Sequence, residues 1–252
     1  MADNGYCRPG TFTACFLNGE REPAIFKELV FMDVKNIVSK VDHTLLTPVA
    51  TSAEIKELID EAVTYGAASV CIPPCYVSLA SAYGEGRIPI CTVVGFPNGY
   101  SLHIVKAFEA ERAVSEGASE IDMVINLCNL KNKEYDLVKN DISAVREAVP
   151  QKILKVIVET CLLTEDEKAL MCKIVAECGA DFIKTSTGFS KAGATASDII
   201  LFKNNLPANV KIKAAGGIQT LGDAEKFIEL GASRLGTSKI IKLIKGQSAA
   251  AY

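Results

Sequence analysis

The chain has 252 residues, of which 49% are hydrophobic and 23% are charged, close to the averages for folded globular proteins. This composition excludes a mainly disordered chain, because disordered chains carry too little apolar surface to offset the entropy lost on ordering. The 27 Lys and Arg against 30 Asp and Glu give a net charge of −3, which does not indicate a nucleic-acid binder. No stretch approaches the roughly 18 consecutive apolar residues of a membrane span, so no membrane association is predicted.

Cysteine and histidine usage bears on redox compartment and metal binding. The nine cysteines are odd in number and include no CxxC pair, so a disulfide framework is not predicted. Only two histidines, His43 and His103, are present, fewer than zinc enzymes usually use, so no metal site is predicted. Several cysteines lie in apolar segments, which predicts buried free thiols in a reducing cytoplasm. These are Cys71, Cys91, Cys128 and Cys172.

The first 30 residues differ from the rest of the chain. Turn-forming runs such as Arg8-Pro9-Gly10 and Asn18-Gly19 occur there without a sustained hydrophobic period. We therefore predict a poorly ordered or peripheral extension over residues 1–30, followed by a single folded domain over residues 31–252.

From about residue 36, short apolar runs alternate with longer amphipathic stretches. Helices are predicted over residues 52–65, 101–115 and 164–178, and several end at a Gly-Ala pair typical of a helix C-cap. Eight segments have the composition of buried strands. They are residues 37–42, 68–71, 90–94, 120–125, 153–159, 181–184, 210–213 and 234–235.

This alternation indicates the α/β class. Strands that are apolar on both faces are typical of a parallel sheet covered by helices. Eight such units in one chain predict a closed (β/α)₈ TIM barrel. A dinucleotide-binding open sheet is disfavoured, because no GxGxxG follows the first strand.

Charged residues occupy the ends of predicted strands, where apolar residues are expected. Lys184 ends the sixth strand, Lys213 ends the seventh, and Asp122 lies in the fourth. In a (β/α)₈ barrel the carboxyl ends of the strands form the mouth where reactive groups meet. A second ammonium group nearby and partial desolvation both lower the pKa of a lysine, which makes it an amine nucleophile. Such an amine reacts readily with a carbonyl group to form a Schiff base.

A structural interpretation of the same residues stays open. Lys155 and Glu159 are an even number of residues apart in the fifth predicted strand and so share a face. The lysines could then pair with Asp122 and Glu159 in a charge network without reactivity. Lysine is rarely buried without a purpose. Two lysines for one acid favour the reactive interpretation, because one acid does not neutralise both.

Glycines follow the last three predicted strands. In many barrels the loops after strands seven and eight bind phosphate through backbone amides at a helix start. The alternative is that these glycines only form turns. The candidates for phosphate binding are Gly188, Gly216, Gly217, Gly236 and the hydroxyl of Ser238.

Five segments of the chain closely resemble the deoxyribose-phosphate aldolase family, over about residues 36–245. This resemblance does not cover the first 30 residues. The segments are residues 41–46 (VDHTLL), 92–97 (TVVGFP), 120–126 (EIDMVIN), 181–189 (DFIKTSTGF) and 211–218 (KIKAAGGI).

The resemblance implies a class I aldolase, a TIM-barrel lyase that needs no metal and no cofactor. It would cleave 2-deoxy-D-ribose 5-phosphate reversibly to acetaldehyde and D-glyceraldehyde 3-phosphate. Lys184 matches the Schiff-base lysine of the family, Lys213 the second lysine and Asp122 the acid that relays protons. The positions that match substrate contacts are Asp42, Thr44, Leu46, Cys71, Thr185 and Thr187.

One position departs from some family members, which carry a lysine where this chain has Phe189. Lys239 is a possible substitute for that charge. Two alternatives stay open: a Schiff-base aldolase that acts on a keto-sugar phosphate, and a sugar-phosphate-binding barrel that has lost catalysis. The expected partners are small phosphorylated sugars and aldehydes, together with further copies of the chain in a dimer or tetramer.

Overall fold

The computed structural model describes residues 34–246 and shows the predicted barrel. The predicted extension over residues 1–30 lies outside the described residues. Eight parallel strands close in the order β1 to β8, each hydrogen-bonded to the next, and β8 pairs with β1. The strands are β1 (Val41–Thr44), β2 (Ser69–Ile72), β3 (Ile90–Val94), β4 (Glu120–Val124), β5 (Ile153–Ile157), β6 (Phe182–Lys184), β7 (Lys211–Ala215) and β8 (Arg234–Thr237).

Helices connect and cover these strands. Residues 34–38 are helical and precede β1. The helices that follow are α1 (Ser52–Tyr65), α2 (Val77–Gly84), α3 (His103–Ser115), α4 (Leu127–Lys131), α5 (Tyr135–Ala148), α6 (Glu165–Glu177), α7 (Ala196–Asn205), α8 (Leu221–Leu230) and α9 (Ile240–Ile244). Within the described residues, no helix has the length and apolar character needed to span a membrane.

Local sequence explains where the helices begin and end. Capping boxes, in which a threonine and an acidic residue three positions later satisfy each other's backbone N–H groups, open four helices. Helix α1 ends at Gly66, whose φ of 72° is the left-handed conformation that glycine adopts without strain. The four capping pairs are Thr51–Glu54, Thr164–Glu167, Thr195–Asp198 and Thr220–Asp223.

Two predictions about these elements are wrong. The first strand was predicted over residues 37–42, but residues 34–38 are helical and β1 begins only at Val41. Ile37 and Val38 are buried, and a short apolar run of this kind has the same appearance in a buried helix and in a strand. The fifth strand ends at Ile157, two residues before Glu159, which has a φ of 56°.

The cysteine prediction is correct in its main point and wrong at one position. All seven cysteines in the described part of the chain are free, and Cys71, Cys91 and Cys172 are buried as expected. Cys128, predicted to be buried, is exposed. The apolar run that contains it continues beyond β4 into α4, where Asn126 caps the helix and Cys128 lies on its outer side.

Candidate active site

Strand register brings the predicted lysines and acid to one level of the barrel interior. Lys184 of β6 is paired with Lys213 of β7, and Asp122 of β4 is paired with Lys155 of β5. In a barrel, alternate residues of each strand face inward and meet in layers. The inward-facing residues here are ionic where most barrels are apolar.

Asp122 lies at the centre of this cluster and is fully buried. Its Oδ2 accepts hydrogen bonds from the Nζ atoms of Lys184 and Lys213, each at 2.7 Å. Its Oδ1 accepts from Lys155 Nζ at 2.8 Å and from Cys91 Sγ at 3.1 Å. The carboxylate therefore links three lysines, and any proton that passes between Lys184 and Lys213 has a shared acceptor.

A second layer of charge supports the first. Lys213 Nζ lies 2.5 Å from Asp42 Oδ2, and Lys155 Nζ lies 2.6 Å from Glu120 Oε2. Arg234 bridges the two carboxylates: its Nη2 is 3.0 Å from Glu120, and its Nη1 contacts Asp42. Both carboxylates therefore hold a lysine from one side and the guanidinium from the other.

The charges of this network are unequal in number. Its cations outnumber its carboxylates by one: Lys155, Lys184, Lys213 and Arg234 against Asp42, Glu120 and Asp122. Lys184 has a single carboxylate partner, Asp122, whereas Lys213 and Lys155 each contact more than one. If Lys184 gives up its proton, the remaining charges balance. The positive charge of Lys184 is therefore the one that the network does not need, because every buried carboxylate keeps another cationic partner without it.

The other two lysines are held in the charged form. Burial alone would lower the pKa of Lys213, but Asp122 and Asp42 outweigh it and raise that pKa above its ordinary value. The pKa of Lys155 is likewise lowered by burial and raised more strongly by its anionic neighbours, so the net shift is upward. Burial raises the pKa of Asp122, yet Lys155, Lys184 and Lys213 together bring it well below the ordinary range.

A cavity of about 390 Å³ opens above the network at the carboxyl ends of the strands. Lys184 lies at its base, and loops after β1, β6, β7 and β8 form its wall. All five candidate phosphate residues line it. They are Gly188, Gly216, Gly217, Gly236 and Ser238.

Three of these glycines have the conformation and free donors that an anion site requires. Gly188, Gly216 and Gly217 have φ values of 86°, 73° and 76°. Within the described part of the chain, their backbone N–H groups donate no hydrogen bond. Exposed amides of this kind are ready to bind anion oxygens.

Gly193 is a structural requirement that the sequence did not reveal. A Cβ at this position would lie 2.3 Å from the carbonyl carbon of Gly216, so only glycine allows the two loops to touch. Ala194 N–H also donates to the carbonyls of Ala215 and Gly216, at 3.0 and 3.2 Å. The loop after β6 is thus fastened to the loop after β7.

The candidate substrate residues divide into two groups. Thr44, Leu46 and Thr187 line the cavity. Asp42 and Cys71 are fully buried beneath it, and Asp42 belongs to the charge network. Thr185 is also buried, and its hydroxyl group binds the backbone of Ala215.

The sequence did not indicate two residues of the charge network, and it misplaced a third residue near it. Glu120 and Arg234 were not proposed, although they lie two residues before Asp122 and Gly236 and so face inward on the same strands. Glu159 was expected to pair with a lysine in the structural interpretation. It forms no ion pair with any described residue and instead contacts Thr187.

The donor set at the centre of the barrel is a poor match to a metal ion. The sulfur atoms of Cys71 and Cys91 and a carboxylate oxygen of Asp122 lie within 4.8 Å of one another. However, both oxygens of Asp122 already accept hydrogen bonds from ammonium groups. A metal cation placed there would meet three lysines at short range, which disfavours it electrostatically.

The barrel and its site can be compared with known proteins. A family described as DeoC/LacD family aldolase matches residues 36–239. A deoxyribose-phosphate aldolase of Clostridioides difficile (strain 630) is 53% identical over 219 residues, which cover 87% of this chain and 100% of that protein. One from Streptococcus agalactiae is 55% identical over 216 residues, 86% of this chain and 97% of that one. The tetrameric deoxyribose phosphate aldolase of Aeropyrum pernix superposes with a TM-score of 0.78 at 29% identity, covering 86% of this chain and 96% of that one.

Proposed function

The chain belongs to the DeoC/LacD family of aldolases, and from this premise we propose that it cleaves 2-deoxy-D-ribose 5-phosphate reversibly through a Schiff base on Lys184. The products are acetaldehyde and D-glyceraldehyde 3-phosphate, which makes the protein a carbon–carbon lyase. The family resemblance of the five sequence segments is confirmed by this membership. The observation that carries the mechanism is the pair of lysines that share Asp122 Oδ2 at 2.7 Å each, one of them at the base of an open cavity.

The reaction begins with the neutral amine of Lys184. Its nitrogen attacks C1 of the open-chain sugar, and the carbonyl oxygen leaves as water after taking two protons, which gives an iminium ion. The hydroxyl group on C3 then loses its proton, and the C2–C3 bond breaks. Its electron pair moves into the iminium, so glyceraldehyde 3-phosphate leaves and an enamine remains on Lys184. Protonation of C2 and hydrolysis release acetaldehyde and restore the amine.

Lys213 and Asp122 are proposed to serve the proton transfers of this sequence. Lys213 stays charged, because Asp42 and Asp122 hold its proton. That fixed charge supplies the cation that Asp122 needs, so Lys184 can be neutral. Asp122 contacts both amines, and it is positioned to relay a proton to and from the reacting atoms, directly or through water.

The phosphate group is proposed to bind at the rim of the same cavity. The amides of Gly188, Gly216 and Gly217 supply donors, and Ser238 adds a hydroxyl group. Phe189 contributes no charge there. Among the described residues that line the cavity, Lys239 is the one cation other than Lys184, and its Nζ contacts the side chain of Gln219 at the rim.

We expect the purified protein to cleave 2-deoxy-D-ribose 5-phosphate in the presence of EDTA as fast as in its absence. An iminium on Lys184 withdraws electrons in the way a metal ion otherwise would, so no divalent cation is required. The assay measures release of acetaldehyde and of glyceraldehyde 3-phosphate. If the protein cleaves a keto-sugar phosphate instead, it is the Schiff-base aldolase named above as the first alternative. If it cleaves neither sugar, the interpretation as a sugar-phosphate-binding barrel without catalysis is favoured. Loss of activity in EDTA that zinc restores would contradict the class I mechanism.

Gly217→Val is expected to raise KM for the phosphorylated sugar much more than for plain deoxyribose. A Cβ at this position meets only ordinary contacts, the nearest being Ala194 O at 3.6 Å. However, a φ of 76° costs a β-branched residue roughly 1–3 kcal/mol, so the backbone is expected to turn and withdraw its N–H group. Steady-state kinetics with both sugars would measure this. Equal losses on both would indicate that these glycines only form turns.

We propose that the chain forms a homo-oligomer through an apolar surface at the start of α3. Five large side chains within nine residues are at least half exposed, and a group of exposed apolar side chains of this kind is typical of a protein–protein contact surface. They are Tyr100, Leu102, Ile104, Val105 and Phe108. A second copy is the occupant we infer, because the structurally similar aldolase of Aeropyrum pernix is described as tetrameric.

Phe108→Glu is expected to convert a dimer or tetramer into a monomer, since a charge in an apolar interface is left unpaired. Light scattering after size-exclusion chromatography measures the mass. Ile200→Glu, on the outer side of α7 and 45% exposed, is the matched control and should leave the assembly intact. A monomeric wild-type protein would contradict the proposal.

The cytoplasm is the proposed location. The support is chemical: seven free cysteines in the described residues are suited to a reducing compartment.

A further inference from the structure

A buried glutamate beside the cavity has no place in the mechanism above. Glu159 is 3% exposed, and none of the described lysines, arginines or histidines forms an ion pair with it. Burying a carboxylate without a cation is costly unless its oxygens accept hydrogen bonds. It follows β5 by two residues and packs against the segment that begins at Lys184.

The backbone of Glu159 adds a second cost. Its φ of 56° and ψ of 64° are left-handed, a conformation that costs a residue other than glycine about 1–3 kcal/mol. Thr160 N–H then donates to Thr185 O at 2.9 Å, and Val158 N–H donates to Lys184 O at 3.1 Å. The turn thus directs the carboxylate across to the loop that follows β6.

The carboxylate contacts Thr187, in the wall of the cavity, and more weakly Cys161, whose Sγ lies 3.9 Å from Oε1. Glu159 Oε2 accepts a hydrogen bond from the Thr187 hydroxyl group and a second from Thr187 N–H at 3.2 Å. The hydroxyl oxygen of Thr187 in turn accepts from Phe189 N–H at 3.1 Å. These bonds fix the residues on both sides of Gly188, whose own N–H donates to no described residue.

We propose that Glu159 is a positioning residue that holds Thr187, Gly188 and Phe189 in the geometry that binds the phosphate end of the substrate. The inference rests on the proposed function. Hydrogen bonds to a charged acceptor are stronger than neutral ones, so a carboxylate fixes the loop more firmly than an amide would. The hydroxyl hydrogen of Thr187 is donated to Glu159 and is not available to the sugar. Thr187 therefore acts by shaping the wall of the cavity.

The test uses Glu159→Gly, because glycine removes the carboxylate and adopts a φ of 56° without strain. KM for deoxyribose 5-phosphate is expected to rise roughly tenfold to hundredfold, the range that corresponds to losing a hydrogen bond to a charged group. KM for plain deoxyribose and trapping of acetaldehyde on Lys184 should change little. Glu159→Gln keeps an acceptor oxygen and should recover part of the loss.

The matched control is Glu85→Gly. Glu85 is an exposed glutamate after α2 with a φ of 47°, and it does not line the cavity. Its replacement should leave both KM values unchanged. Thr187→Val tests the other partner of the hydrogen bond. KM for deoxyribose 5-phosphate in the double variant with Glu159→Gly should be no higher than in either single variant.

The outcomes separate the two proposals. A wild-type protein that neither cleaves the sugar nor traps acetaldehyde would overturn the proposed function itself. An active wild type in which Glu159→Gly and Thr187→Val raise KM for both sugars equally, or change neither, would overturn the positioning role alone.

Discussion

Borohydride reduction in the presence of acetaldehyde is expected to leave an ethyl group on Lys184. This lysine lines the cavity, whereas Lys155 and Lys213 are fully buried beneath it. It is also the one ammonium that the buried network can lose while its charges stay balanced. Mass spectrometry of proteolytic peptides locates the label, and Lys184→Met should lose both the label and turnover.

Exposed lysines also react slowly with aldehydes, so the labelling needs a control. With deoxyribose 5-phosphate in place of acetaldehyde, borohydride should again modify Lys184, through the iminium of the sugar or of the acetaldehyde formed from it, and should leave a surface lysine such as Lys226 unmodified. A label on the peptide of Lys213 or Lys155 with both aldehydes, with Lys184 unmodified, would show that the nucleophile is assigned to the wrong residue.

Lys213→Leu is expected to abolish most activity at neutral pH and to move the optimum to alkaline pH. Without Lys213, three carboxylates face Lys155, Arg234 and Lys184, so the amine of Lys184 becomes necessary for charge balance and stays protonated. Activity should then recover by about tenfold for each pH unit, as the neutral fraction of a single amine does. Removing one partner from a buried ion pair also costs about 3–5 kcal/mol of stability, which thermal unfolding would measure.

Asp122→Asn is the matched contrast to Lys213→Leu. Asp122→Asn removes a negative charge from the network, whereas Lys213→Leu removes a positive one. Charge balance in Asp122→Asn therefore does not require Lys184 to stay protonated. Turnover should fall by about 10²–10⁴-fold, the usual contribution of a group that transfers protons, without an alkaline shift. The same alkaline shift in both variants would contradict the charge-balance argument. A variant that fails to fold would favour the purely structural interpretation of the network.

The barrel could be predicted from the sequence because its signals are local and repeated. Strands such as Ile90–Val94 and the helix Ser52–Tyr65 were placed without error, since apolar runs and capping residues mark their ends. The first strand was misplaced because Ile37 and Val38 are apolar in a helix that packs against the barrel. Periodicity alone cannot separate these two environments over a few residues.

Site residues that place a charge at the end of an apolar strand could be predicted from the sequence. Residues whose contacts form only when the barrel closes could not. Lys184, Lys213 and Asp122 stand out against apolar neighbours. The ion pairs of Arg234 with Asp42 and Glu120 join residues far apart in the chain, and nothing local signals them. Gly193 is another such case, because its need to be glycine arises from the backbone of Gly216 on a neighbouring loop.

Two charges of the ionic interior, those of Asp122 and Lys213, contribute to folding in the same way across the neutral pH range. The pKa of Asp122 is depressed below its ordinary value of 3.8, so its stabilising contribution is complete above that value and is lost only as the pH falls through the folded pKa. The pKa of Lys213 is raised above its ordinary value of 10.5, so its contribution is complete below that value and is lost only in strongly alkaline solution. Between these limits the charges of Asp122 and Lys213 do not change, so these two residues add a constant amount to the free energy of unfolding. A rate that changes with pH in this window therefore reports groups other than Asp122 and Lys213, whose charges stay fixed in the folded barrel throughout it.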